Sequence, residues 1–231
     1  MPVGLITGAS RGLGLALTQA LSARAWDLVV DARDGAALSA AVDGLGGVVA
    51  IPGDVTDPAH RDELTRAVRR LGRIDLVVNN ASSLGPSPLP PLERYPIAEL
   101  EEVFRVNVLA PLTVVQLLMP ELTAARGIVV NVSSDAAVEA YPGWGGYGAS
   151  KAALDQISRV LAEEGQTISV YAFDPGDMRT AMHQQAYPGE DISDRPEPET
   201  VVPAFLRLIE TRPKSGRYRA SEQSSLEAVG S

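Results

Sequence analysis

The feature that most restricts the fold is a regular alternation of short β-branched runs with longer helical stretches. The runs Gly4–Ile6, Asp27–Val30, Val48–Ile51, Leu76–Val78, Gly127–Val132 and Ile168–Ala172 read as strands. Between them lie stretches expected to be helical near Leu13–Arg24, Gly35–Leu45, Pro58–Leu71, Ile97–Ala124 and Ala149–Glu164. Runs such as Asp75-Leu-Val-Val-Asn and Gly127-Ile-Val-Val-Asn-Val are nearly continuous in apolar residues, as interior parallel strands are. Strand–helix repetition at this spacing predicts an α/β fold, a doubly wound parallel sheet. Ligands of such sheets bind beyond the carboxyl ends of the strands. No repeat and no linker divides the chain, so one domain spanning 1–231 is expected, a size at which single α/β domains are common.

Two segments break the pattern. Ser82–Pro96 holds five prolines and reads as a loop over the site; Pro175–Glu199 is polar, and 177–199 is expected to be a substrate lid. Residues 221–231 read as a small polar tail.

Composition excludes several function classes. A formal net charge of −9 leaves no basic face for phosphate backbones, so no nucleic-acid partner is expected. There are no cysteines, and His60 and His183 are the only histidines, too few for a metal site. No apolar run reaches the roughly 18 residues of a membrane helix. The first apolar stretch lacks a basic leader and runs into a glycine turn, so it reads as a strand and not a signal peptide. A cytoplasmic location without membrane contact follows by default. Lys151 and Lys214 are the only lysines among 20 basic residues, and a compact ammonium does what a guanidinium does not.

Directly after the first strand comes Thr7-Gly8-Ala9-Ser10-Arg11-Gly12-Leu13-Gly14. Glycines here permit a tight turn and close backbone approach to a pyrophosphate at the next helix's N-terminus. The spacing is G-x-x-x-G-x-G, not G-x-G-x-x-G, and by itself such a turn is also compatible with a structural role. A second constellation narrows the choice. Tyr147 and Lys151 are four apart and share a helix face, and Ser134 stands at the end of a strand thirteen residues before Tyr147. A free phenol has a pKa of about 10; a nearby ammonium lowers it, and a serine hydroxyl can hold the substrate oxygen while the phenol passes its proton. The pair alone fits equally a surface tyrosine beside a solvated lysine.

Taken in order, the Thr7–Gly14 turn, Asp54-Val55, Asn79-Asn80-Ala81, Asn107, Ser134, Tyr147 with Lys151, Pro175-Gly176 and Thr180 resemble the short-chain dehydrogenase/reductase family over roughly residues 3–180. The resemblance implies a Rossmann-type three-layer α/β/α sandwich and a catalytic set of Asn107, Ser134, Tyr147 and Lys151. Tyr147 is then the acid in carbonyl reduction and the base in alcohol oxidation. Lys151 lowers its pKa and bonds the nicotinamide ribose, Ser134 polarises the carbonyl, and Asn107 keeps a water linking Lys151 to solvent. Cofactor contacts fall on Thr7, Gly8, Ser10, Arg11, Gly12, Leu13, Gly14, Asp54, Val55, Asn79, Ala81, Pro175, Gly176 and Thr180, besides Tyr147 and Lys151. Ser82 departs from the family's usual glycine, and the usual Gly-Gly ending is missing, which puts a C-terminal tetramer contact in doubt. Three segments, Asn79–Gly85, Gly143-Trp144 and Met182-His-Gln-Gln185, are similar to the sepiapterin reductase and benzil reductase branch, which implies a small ketone or diketone substrate. Trp144 could equally be a packing residue, and Asp177 and His183 solvated lid residues.

The expected cofactor is NADPH. An acidic residue ending the second strand would bind a ribose 2′-hydroxyl, and Asp31 lies near that place. The family pattern instead aligns Ala32 with the usual acidic position and puts Arg33 just after it, with Arg11 as a second guanidinium that can fork onto a 2′-phosphate. A homodimer through Ile97–Ala124 and Ala149–Glu164 is expected, because both carry more apolar residues than one buried face requires. Imine reduction, alcohol oxidation and a silent NADP-binding regulator are the alternatives; the regulator is disfavoured by the retained Asn107, Ser134, Tyr147 and Lys151.

Overall fold

A computed structural model describes residues 1–165 and 167–225. Seven strands form one sheet in the order β3-β2-β1-β4-β5-β6-β7: β1 Val3–Ile6, β2 Asp27–Ala32, β3 Val48–Pro52, β4 Leu76–Asn79, β5 Ile128–Val132, β6 Ser169–Asp174 and β7 Gly216–Arg219. Every adjacent pair is parallel. The strand order reverses between β1 and β4, and a crevice opens at such a point beyond the strand ends.

The helices are α1 Gly12–Ser22, α2 Gly35–Val42, α3 Pro58–Arg70, α4 Ile97–Phe104, α5 Ala110–Ala125, α6 Gly145–Glu164, α7 Ala181–Ala186, α8 Val202–Thr211 and α9 Ala220–Ser225. Local chemistry starts several of them. Asp34 accepts the Ala37 N–H ahead of α2, and Asp57 accepts the Ala59 N–H ahead of α3, where Pro58 supplies a preset first-turn φ.

Side chains alternate across each strand, and the core divides accordingly. Ile6, Val30, Val78, Val130 and Phe173 pack on one face against Leu13 and Leu17 of α1, Leu38 of α2 and Phe205 of α8. Leu5, Val29, Val77, Val129 and Val170 pack on the other against Leu64 and Val68 of α3 and Val114, Leu118 and Leu122 of α5. The three-layer α/β/α sandwich, with its doubly wound parallel sheet, is therefore present as expected.

Several boundaries differ from the expectation. The helix read as Ile97–Ala124 is interrupted by a π turn at Arg105–Leu109, because the apolar pattern runs unbroken through a turn whose hydrogen bonds have widened. Continuous from Ile97 to Ala125, it is long and apolar enough by length and composition to cross a bilayer, yet Val103, Val108, Val114, Val115, Leu118 and Leu122 are buried here. The helix expected from Ala149 begins at Gly145, placing Tyr147 inside its first turn. Strand β7 and helix α8 were not anticipated. The expected loop over 82–96 is irregular apart from a short 3-10 turn at Leu92–Arg94, and the lid segment contains α7. Of the tail, 221–225 continue α9 and 226–231 lie outside the described residues.

Candidate active site

The glycine turn between β1 and α1 is held from three sides. Asn80 Nδ2 donates to the carbonyls of Thr7 and Gly8, at 2.9 and 3.0 Å. Thr7 Oγ1 accepts the N–H groups of Asn80 and Ala81, both at 3.0 Å. Asp31 accepts the Gly8 N–H at 2.8 Å. Gly8 has φ +71° and its neighbour Ala81 leaves no room for a Cβ; a Cβ at Gly14 would run into the Gly8 carbonyl. The first turn of α1 carries no acidic residue, so its N–H groups and dipole face the crevice uncompensated, the arrangement that favours an anion.

The crevice is a cavity of about 1070 Å³ running from Arg33 and Asp54 to Tyr187. Of the residues expected to bind a cofactor, Gly8, Ser10, Arg11, Gly12, Leu13, Arg33, Asp54, Val55, Ala81, Tyr147, Lys151, Pro175, Gly176 and Thr180 line it, as does Ser134. Thr7, Gly14, Asn79 and Asn107 stand behind its wall. Asn79 donates across the sheet to Asn131 Oδ1 at 2.7 Å, and Asn131 in turn donates to Ser158; Asn80, one residue on, does the work at the turn. Arg11 and Arg33 are exposed at the adenosine end. Burial pushes the Asp54 carboxyl up, but two hydrogen bonds from Thr56 and the charges of Arg33 and His60 outweigh it, so the net shift is downward. A glycine cradle at a bare helix end fits the pyrophosphate of a dinucleotide.

At the other end α6 presents Tyr147 and Lys151, and β5 delivers Ser134. Burial pushes the Tyr147 phenol well above the ordinary tyrosine range, and hydrogen bonds with Ser134 and Ser82 offset part of that rise. The Lys151 ammonium lies 5.5 Å from the Tyr147 ring centroid and donates to the Val132 carbonyl at 2.7 Å. Burial pulls Lys151 down to about 8, partly countered by Asp155. The expected lowering of Tyr147 by Lys151 is therefore not the dominant effect: desolvation of the phenol is larger. Ser134 Oγ donates to Asp135 Oδ1 at 2.9 Å.

Asn107 sits in the π turn, a common place for functional residues. Its Oδ1 accepts from Ser83 N–H at 2.8 Å and Ser82 Oγ at 3.1 Å, and its Nδ2 donates to the Ser83 carbonyl and Ser150 Oγ, both at 2.9 Å. Ser82 thus adds a bond to Asn107 that the family's usual glycine could not make. Beyond Tyr147 the walls are Leu84, Met182, Trp144 and Tyr187, with Trp144 5.7 Å from the Tyr147 ring and 6.1 Å from that of Tyr187.

Sequence reading missed a clamp beneath the site. Arg217 of β7 donates from Nε to Asp155 at 3.0 Å and from Nη2 to Asp174 and the Ser134 carbonyl, both at 2.8 Å. Asp155 also accepts Ser133 Oγ at 2.5 Å, and Asp174 accepts the Gly176 N–H at 3.0 Å. One guanidinium therefore ties together the segments carrying Ser134, Lys151 and Pro175-Gly176. Only the one-turn spacing of Asp155 from Lys151 hinted at it.

A glycine turn at the switch point of a parallel sheet, facing a buried Tyr–Lys pair, defines a dinucleotide-dependent α/β oxidoreductase. Residues 2–191 match the short chain dehydrogenase family. The chain is 36% identical over 186 residues to a rhamnolipids biosynthesis 3-oxoacyl-(acyl-carrier-protein) reductase of Pseudomonas aeruginosa, covering 75% of this chain and 72% of that protein. It is 31% identical over 186 residues to an L-fucose dehydrogenase of Mus musculus, covering 79% and 67%. Among solved structures, a short chain dehydrogenase from Pseudomonas syringae superposes with a TM-score of 0.88 at 30% identity, covering 95% and 94% of the two chains. One from Shigella flexneri complexed with NADP gives 0.87 at 27% identity, covering 95% and 97%. The chain belongs to the short-chain dehydrogenase/reductase family, oxidoreductases that bind a nicotinamide cofactor.

The clamp has a measurable weight. The carboxylates of Asp155 and Asp174 are both 4% exposed, so Arg217→Met should remove the guanidinium they share, leaving Asp174 only the longer contact with Arg219 and Asp155 only the nearby Lys151, and lower the unfolding free energy by about 3–5 kcal/mol. Urea denaturation reads this directly; a loss of about 1 kcal/mol or less, the worth of a surface pair, would refute it.

Proposed function

We propose that the protein is an NADPH-dependent carbonyl reductase of small ketones or diketones. The observation that carries this reading is one continuous cavity with Arg11 and Arg33 at one end and Ser134, Tyr147 and Lys151 at the other. The chemistry the cofactor supplies is a hydride to the carbonyl carbon. Tyr147, held protonated by burial, gives its proton to the carbonyl oxygen, so that C=O becomes CH–OH. Ser134 exchanges its Asp135 acceptor for that oxygen and stabilises its developing charge. Lys151 stabilises the phenolate left on Tyr147. The aromatic walls at Trp144 and Tyr187 suit a flat or dicarbonyl substrate, in keeping with the sepiapterin and benzil reductase resemblance.

The whole of 1–231 is read as one dinucleotide-binding catalytic domain, with 177–199 as the lid. A cytoplasmic setting accords with a chain that has no cysteines to oxidise. A second reading, alcohol oxidation by the same groups in reverse, draws support from the similarity to L-fucose dehydrogenase.

Tyr147→Phe should lower kcat by about 10²–10⁴-fold, the usual worth of a general acid, while NADPH affinity measured by calorimetry stays near wild type. Because Lys151 loses its proton near pH 8 and its charge favours the step, kcat/KM for reduction should fall as pH rises through about 8. A flat profile from pH 7 to 9 would sink that role.

NADPH should be preferred over NADH by at least about tenfold in kcat/KM, or roughly 1.4 kcal/mol, and Arg33→Ala should remove most of the preference while sparing NADH kinetics. A wild type that prefers NADH would overturn the cofactor assignment.

A homodimer is proposed through α5 and α6 with the π turn between α4 and α5, where Leu109 and Val160 stand 56% and 43% exposed. Light scattering at micromolar protein should give twice the chain mass, and Leu109→Arg with Val160→Arg should reduce it to one; a monomeric wild type would contradict this.

A further inference from the structure

Asp31, the last residue but one of β2, stands at the edge of the adenosine end of the cavity, yet it is 1% exposed. Both its oxygens are engaged away from that space. Oδ1 accepts the Gly8 N–H at 2.8 Å, and Oδ2 lies 3.0 Å from His60 Nε2. An ionised carboxylate only accepts, so the ring nitrogen is the donor. His60 comes from the first turn of α3 and is itself 6% exposed. Its ring lies flat against Gly53, where any Cβ would overlap it.

A carboxylate ending the second strand of such a crevice ordinarily bonds a ribose 2′-hydroxyl and repels a 2′-phosphate. We infer that His60 is a specificity-determining residue: by holding Asp31 Oδ2 against α3, it keeps this carboxylate off the ribose and leaves the 2′ position to Arg33 and Arg11. The inference rests on the NADPH reading above. The physical reason is that a buried carboxylate must have partners. With His60 in place, Asp31 finds both in the protein. Without it, Oδ2 loses that partner, and the cavity that Asp31 lines is open to solvent and to ligand hydroxyls. His60 therefore acts through Asp31 and touches no substrate, and Gly53 is the residue that makes room for it.

The test measures dissociation constants for NADPH and NADH by calorimetry, with steady-state kinetics alongside, in wild type, His60→Ala, His60→Gln and the double variant His60→Ala/Asp31→Asn. His60→Ala should shift the NADPH-to-NADH affinity ratio toward NADH by about tenfold, while kcat at saturating NADPH moves less than about twofold. His60→Gln, which keeps a donor, should hold the wild-type ratio, and Asp31→Asn in the His60→Ala background should abolish the shift. An unchanged ratio in folded His60→Ala, or a shift that survives Asp31→Asn, overturns the inference. If His60→Ala does not fold, Gly53→Ala displaces the same ring and must shift the ratio in the same direction, or the inference fails. A wild type that prefers NADH defeats the NADPH reading alone, since the His60 effect is measured as a change from wild type.

Discussion

Charge buried at the end of an apolar sheet is costly unless it is matched, and the site is organised around that requirement. Lys151 is 2% exposed, so its ammonium survives only because the Val132 carbonyl and the nearby Asp155 receive it. Asp155 and Asp174 require Arg217, and Arg217 then reaches the Ser134 carbonyl. Satisfying one buried charge after another thus fixes β5, α6, β6 and β7 relative to each other. Ser134, Tyr147 and Lys151 inherit their placement from that chain of partners, as preorganised sites require.

The two ends of the cavity are built differently. The glycine turn relies on main-chain geometry: close packing of Gly14 on Gly8, an α1 terminus without acidic residues, and Asn80 pinning the turn by its carbonyls. The substrate end relies on side chains, with Leu84, Trp144 and Tyr187 around Tyr147. Main-chain recognition suits a cofactor whose phosphates are the same for every reaction. Side-chain walls can change without disturbing the turn, which is how one fold serves many substrates.

The sheet, the glycine turn and the Tyr147–Lys151 pair were legible in the sequence because each rests on local spacing. Short β-branched and near-continuous apolar runs mark strands, and four-residue separation marks a shared helix face. What escaped notice depends on contacts between distant segments. Asp31 and His60 are 29 residues apart, and Arg217 meets Ser134 across 83. Strand β7 reads Gly-Arg-Tyr-Arg and is only partly buried, so it offers no apolar run to recognise. The π turn at Arg105–Leu109 leaves the hydrophobic pattern intact and is invisible to it. Asn80 stands between two residues that were noticed, and only the fold shows that its amide, not that of Asn79, braces the turn.

Strand β7 is also the last strand of the sheet, and an unpaired edge is a template for another chain. Here it spans four residues, and Arg217 and Arg219, two apart, turn toward Asp174. Inward-pointing charges on a very short edge are a known protection against edge-to-edge pairing. A copy adding a strand here would have to shift residues that already hold the active-site carboxylates. Arg217, which ties the site together, and Arg219 beside it therefore also guard this edge of the sheet against pairing with another copy.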